Sequence, residues 1–198
     1  MATPALDPRV ARTRAAVLEA VGRLLVEGGL AAVTVEAVMA RTGAARATVY
    51  RHWATRDDLV LAGLEHLMPP PRADAAPDAP VEVALLAVVA GFAAQLADEP
   101  WATALPVLLD AARRDPRLRA RMDAFLAQRK HPVRQLLVRA VQAGELRPGL
   151  DPDVAVSQLL GPLMFRRIIS AEPLDEAVVD AVAGDFLRAN RPEAGVGC

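Results

Sequence analysis

TVEAVMARTGAARATVYRHWATR, residues Thr34 to Arg56, reads as two short helices separated by a glycine, and it carries four arginines (Arg41, Arg46, Arg51, Arg56) against one acid, Glu36. Thr34 is a good N-cap, and Val35, Val38 and Met39 fall at i, i+3 and i+4, which gives the first helix one apolar face to bury. Gly43 supplies the left-handed residue that ends it. A second helix from about Ala45 to Trp53 turns Val49 and Trp53 inward, one turn apart, and leaves Arg46, Ala47, Thr48, Tyr50, Arg51 and His52 on or near the outer side. Such groups suit a DNA duplex. Thr, Tyr and His donate hydrogen bonds to phosphate oxygens and fix register, whereas an arginine near a helix start reaches guanine O6 and N7. Two helices on a tight glycine turn make a helix-turn-helix.

The stretch resembles the helix-turn-helix of the TetR family of bacterial transcriptional regulators. The family pattern is a Thr opening the first helix, then roughly Ala-Gly-Val-Ser-x-Gly-Thr-Leu-Tyr-x-His-Phe, then a Lys. Here stand Thr34, then Thr42-Gly43-Ala44-Ala45-Arg46-Ala47-Thr48-Val49-Tyr50-Arg51-His52-Trp53, then Arg56. The likeness is close over about a third of the chain and holds elsewhere by helical pattern and length. Two departures bear on the chemistry. Ala45 in place of Ser removes the side-chain cap of the recognition helix, a loss of about 1 kcal/mol. Ala47 in place of Gly adds a methyl where backbone approaches DNA, and that methyl either crowds the approach or touches a thymine methyl.

Composition bounds the rest. At 198 residues the chain is long enough for a proper core, as one large domain or two small ones. A net charge of −1 and a pI near 6.3 exclude a generally basic nucleic-acid coat protein, so DNA affinity has to come from a local patch. Residues 1–56 provide one: eight arginines stand against Asp7, Glu19, Glu27 and Glu36. The single cysteine, Cys198, cannot form an intrachain disulfide, and a reducing cytoplasm is the expected compartment. Met1–Val10 lacks the apolar core of a signal peptide, and the run Val83–Ala94 is too short to span a bilayer. No membrane partner is expected.

Outward from the central stretch the chain reads as all-α. Val10, Val17, Leu18, Val21, Leu24 and Leu25 mark a first helix from Arg9 to about Glu27, ended by Gly28-Gly29. Thr55 and Asp57-Asp58 open a fourth helix that runs to Met68. Residues 68–80, MPPPRADAAPDAP, hold five prolines and read as a loop. Beyond it, helices are expected from Pro80 to Asp98, from Pro100 to Arg114, from Asp115-Pro116 to Ala143 with a bend or break at Pro132, from Asp151-Pro152 to Ile169 with a kink at Gly161-Pro162, and from Pro173–Asp175 onward. That makes about nine helices. Two domains are expected: a helix-turn-helix DNA-binding domain over 9–55, and a helical ligand-binding and dimerisation domain over 56–190 with the Pro-rich loop at 68–80.

The resemblance implies a cytoplasmic homodimeric repressor that binds a palindromic double-stranded operator and is released by a small, apolar effector; activation in place of repression stays open. It assigns DNA contacts to Thr34, Arg46, Ala47, Thr48, Tyr50, Arg51, His52 and Arg56. Candidate effector-lining residues are Phe92, Trp101, Leu105, Leu108, Met122, Phe125 and Phe165, with Gln95, Thr103, Gln128 or His131 as polar contacts, and candidate dimer residues are Leu159, Leu163, Val178, Val182 and Phe186. Enzyme chemistry has no foothold: the three histidines are scattered, and no HExxH, CxxC, GxSxG or phosphate-cradling glycine loop exists. No metal or cofactor is implied. The alternatives are a dimeric small-molecule binding protein of the same fold with little DNA affinity, and a small helical enzyme.

Overall fold

The computed structural model describes residues 8–67, 79–97 and 99–192, and among these there are nine α-helices, one π-helical turn and no strand. They are α1 (Pro8–Ala32), α2 (Val35–Thr42), α3 (Arg46–His52), α4 (Arg56–Leu67), α5 (Val81–Ala97), α6 (Glu99–Arg114), α7 (Pro116–Gln142), α8 (Pro152–Met164), the π-turn Phe165–Ile169, and α9 (Glu176–Asn190). The all-α expectation holds. The loop expected at 68–80 lies, apart from Ala79 and Pro80, outside the described residues, as does Cys198.

Two compact units share the chain. The first gathers α1–α4, α6 and the start of α7 as far as Met122. Within it α1 packs on α2, α4 and α6, α4 packs on α6, and α2 meets α3. The α1–α4 contact is close because two positions lack a side chain: a Cβ at Gly63 would collide with Val21 Cγ1, and a Cβ at Gly22 would come within 2.7 Å of Leu67 Cδ2. On these two helices Val21, Leu25, Leu59, Val60 and Leu64 are all but closed to solvent. Gly29 (φ 65°, ψ −163°) breaks the helical path of α1 near the expected stop, and a last turn carries on to Ala32.

The second unit holds α5, α7 from Asp123, α8, the π-turn and α9. Here α5 packs on α8 and α9, and α8 packs on α9. Glu145, just past α7, accepts the Val81 amide at 2.8 Å and so ties the start of α5 to the end of α7. Arg147 donates to Asn190 Oδ1 at 3.0 Å, and Asn190 in turn donates to Phe186 O, which satisfies a polar side chain that is 4% exposed.

Both helices are continuous at their internal prolines. α7 runs through Pro132 as one helix, so the split that was one of the two expected outcomes does not occur. The ring leaves the Gln128 carbonyl without its helical donor, yet both residues are exposed, so water can take that place. α8 likewise continues through Pro162 to Met164, and the irregularity falls one step later as the π-turn, closed by the Ser170 amide donating to Phe165 O at 3.0 Å.

Candidate nucleic-acid interface

α2 is set by its ends. Thr34 Oγ1 accepts the Ala37 amide at 3.1 Å, and Gly43 (φ 69°, ψ 6°) donates back to Met39 O at 2.8 Å. Thr42 closes the turn: its hydroxyl donates to Val38 O at 2.8 Å and accepts the Ala44 amide at 3.2 Å. α3 starts at Ala45 with no side-chain cap, and Val49 and Trp53, 1% and 6% exposed, fix it to the interior. One buried side therefore decides which side faces out. Arg46, Ala47, Tyr50 and Arg51 are exposed, while Thr48 and His52 are half-buried, with the His52 ring 5.5 Å from Trp53 at a tilt of 54°.

The exposed cations are not all equivalent. Arg46 Nη2 lies 2.8 Å from Glu36 Oε1 on α2, and its guanidinium sits over the Tyr50 ring, 5.7 Å from the centroid. Its pKa is raised, first by the Tyr50 side chain and next by the Glu36 charge; a group already cationic at neutral pH is only held more firmly so. Arg41 spends both terminal nitrogens on Glu27 of α1, at 3.2 and 2.5 Å, which lowers the Glu27 carboxyl pKa and binds α1 to α2. Arg56 donates from Nε to Val33 O at 2.7 Å and from Nη2 to Leu30 O. It anchors the start of α4 to the segment before α2.

A reciprocal cap opens α4. Asp58 Oδ2 accepts from the Thr55 amide at 2.9 Å and from its hydroxyl at 2.6 Å, while Thr55 Oγ1 accepts the Asp58 amide at 3.1 Å. The other carboxylate oxygen pairs with Arg121 of α7. Thr55 first, and then Arg121, hold the Asp58 carboxyl below the usual range.

The remaining candidates scatter. Leu105, Leu108 and Met122 are buried in the first unit and Phe125 in the second; Phe92 is half-buried, Phe165 is 59% exposed, and the Trp101 side chain lies outside the described set. Leu159, Leu163 and Phe186 are turned into the core of the second unit, whereas Val178 and Val182 are half-buried. The apolar groups that α8 and the π-turn expose are instead Val154, Phe165 and Ile169, at 54, 59 and 70%. A surface groove of about 440 Å³ is lined by Asp123, Leu126, Ala127, Lys130, His131, Arg134 and Asp153, with Arg134 and Asp153 3.4 Å apart; of the effector-pocket candidates it includes His131 but none of the apolar ones. Among the described residues no group of three or more His, Cys, Asp or Glu could hold a metal, and no single helix is long and apolar enough to cross a membrane.

Sequence reasoning gave Glu36 no role beyond the lone acid of its stretch, and it missed the Asp58–Arg121 pair. Ten residues separate Glu36 from Arg46, and 63 separate Asp58 from Arg121, so no local spacing reveals either.

Similarity to known proteins follows the two parts of the chain. The family profile described as bacterial regulatory proteins, tetR family, matches residues 17–62, and that of the tetracyclin repressor-like C-terminal domain matches residues 76–186. The HTH-type transcriptional regulator Mb1581 of Mycobacterium bovis is 31% identical over 169 residues, covering 83% of this chain and 81% of its own. The solved structure of the TetR family regulator SCO0332 is 31% identical, with a TM-score of 0.65 over 89% of this chain and 97% of that one. A SmeT–triclosan complex shares the fold at 23% identity, with a TM-score of 0.71 over 94% of this chain and 95% of that one.

Proposed function

Since this chain belongs to the TetR family of bacterial transcriptional regulators, we propose that it acts as a homodimeric repressor whose α3 enters the major groove of a palindromic operator and which a small apolar effector releases. The observation that carries this reading is the outer side of α3: Arg46, Tyr50 and Arg51 exposed beside Thr48 and His52, over a Val49–Trp53 anchor that holds the helix from behind. Arg46 is assigned to a base edge, Thr48, Tyr50, Arg51 and His52 to phosphates, Ala47 to close approach, and Thr34 and Arg56 to positioning the two helix starts. Half-sites then lie about one DNA turn apart. We assign the second copy to α8, the π-turn and α9, with Phe165, Ile169, Val178 and Val182 as the residues available to it. Residues 56–190 are assigned to the ligand-binding and dimerisation part, and the protein to the cytoplasm. The triclosan held by SmeT supports an apolar effector by likeness of fold, and the apolar side chains named from the sequence are the positions to vary.

A gel shift of the full chain against duplex upstream of its own gene tests the reading. A shift that is lost with Arg46→Ala, or that becomes indifferent to one or two base pairs, supports it; no shift at low salt sinks it. That second outcome favours a small-molecule binding protein without DNA affinity, a reading the uncapped start of α3 supports.

A further inference from the structure

We propose that Glu36 is a specificity-determining residue of the DNA-reading surface: its carboxylate holds the Arg46 guanidinium in place to select a guanine and penalises binding where no guanine is offered. This rests on the DNA-reading assignment of α3 made above.

The geometry comes from two helices and one ring. Glu36 stands in the first turn of α2 and Arg46 in the first of α3, their charged atoms 2.8 Å apart, with the Tyr50 ring beneath the guanidinium. An arginine side chain free to rotate at this place would swing to the nearest phosphate, a contact that carries no sequence information. Paired with a carboxylate at 2.8 Å and with an aromatic ring 5.7 Å away, it is biased toward one orientation. Its remaining N–H donors are then available to guanine O6 and N7, the acceptor pair that a planar guanidinium matches best.

Stability does not account for the pair. Both side chains are more than half exposed, 58% for Arg46 and 65% for Glu36, and such pairs contribute little to folding. An acid in the first turn of α2 suits the helix dipole, but so would an acid that touched no arginine. A negative charge on a surface presented to a polyanion lowers affinity for every duplex. It is tolerable where Arg46 is fully used, and the same carboxylate can accept from a neighbouring cytosine N4. The net effect is weaker binding at wrong sites and a sharper choice at the right one.

The test enriches a random duplex pool on the full-length wild type, Glu36→Gln and Arg46→Lys, then measures affinity against salt for the selected duplex and a scrambled one. The wild type is expected to select a guanine at one position in each half-site. Glu36→Gln, an isosteric change, should lose that preference at least about fivefold and bind the scrambled duplex several-fold more tightly, with a salt slope steeper by about one, as for one added phosphate contact. Arg46→Lys should lose the guanine with Glu36 still present, because an ammonium cannot make the paired contact. Unchanged base preference and unchanged scrambled-duplex affinity in Glu36→Gln, or a guanine retained by Arg46→Lys, overturn the proposal and leave DNA reading intact. A wild type that enriches no sequence overturns the DNA-reading assignment itself, and this proposal with it.

Discussion

Tyr50 is 45% exposed on the outer side of α3 with its ring against Arg46, while Val49 and Trp53 hold the helix from behind. If the Tyr50 hydroxyl meets a phosphate as proposed, removing it deletes the contact while the ring stays against Arg46. Tyr50→Phe is expected to weaken binding to every duplex alike by about fivefold, on the order of 1 kcal/mol, with the unfolding midpoint unchanged; fluorescence anisotropy on matched and scrambled duplexes checks it. Arg56 behaves differently, because its guanidinium is committed to the Val33 and Leu30 carbonyls. Arg56→Ala should lower the unfolding free energy by about 1–2 kcal/mol, read by urea titration, and leave the salt slope of DNA binding nearly unchanged. The outward set on α3 was legible in sequence because a buried valine and tryptophan one turn apart fix the inner side of a short helix. The commitments of Arg46, Arg41 and Arg56 were not. A guanidinium on a long stem finds whichever carboxylate or carbonyl the tertiary fold brings near, and sequence spacing does not encode that.

Among the elements, α4 depends on its fit to α1 and on the cap at its start. Val21 is fully buried and β-branched, so it cannot swing away from a methyl placed at Gly63. Gly63→Ala is therefore expected to push α4 off α1 and to lower stability by about 1–3 kcal/mol, measured by thermal or chemical unfolding. The cap carries a pH dependence. The Asp58 carboxyl is depressed in the folded protein, so its stabilisation is complete above the unfolded value, about 3.9, and is lost as pH falls through the lower folded value. Asp58→Asn should lose stability at neutral pH and show a shallower acid-unfolding curve below about pH 4 than the wild type. Helix number and most boundaries could be read in advance, since Thr34, Gly43, Asp115-Pro116, Asp151-Pro152 and Asp175 are start and stop signals of local chemistry. Pro132 does not split α7 because an exposed proline inside a helix can leave its orphaned carbonyl to water.

For the whole molecule, the apolar pattern of α8 and α9 shows where sequence reading stops. Leu159, Leu163 and Phe186 repeat at helical spacing just as interface residues would, and a pattern of periods cannot separate a partner in the same chain from one in another. The fold turns them inward, and the π-turn presents Phe165 and Ile169 outward. If those two groups meet a second copy, Phe165→Glu with Ile169→Glu should give a folded monomer by sedimentation, with operator affinity reduced by about a hundredfold or more through loss of the second half-site. A dimer unchanged by both substitutions rejects that surface. The bare start of α3 at Ala45 has a consequence for how such a complex forms. With no hydroxyl or carboxamide to hold its opening turn, the reading helix should breathe in the free protein, its first amides trading hydrogen for deuterium ahead of those beside Trp53. Duplex would then quiet that motion, so that the regulator finishes arranging itself on the sequence it recognises and hesitates on every other.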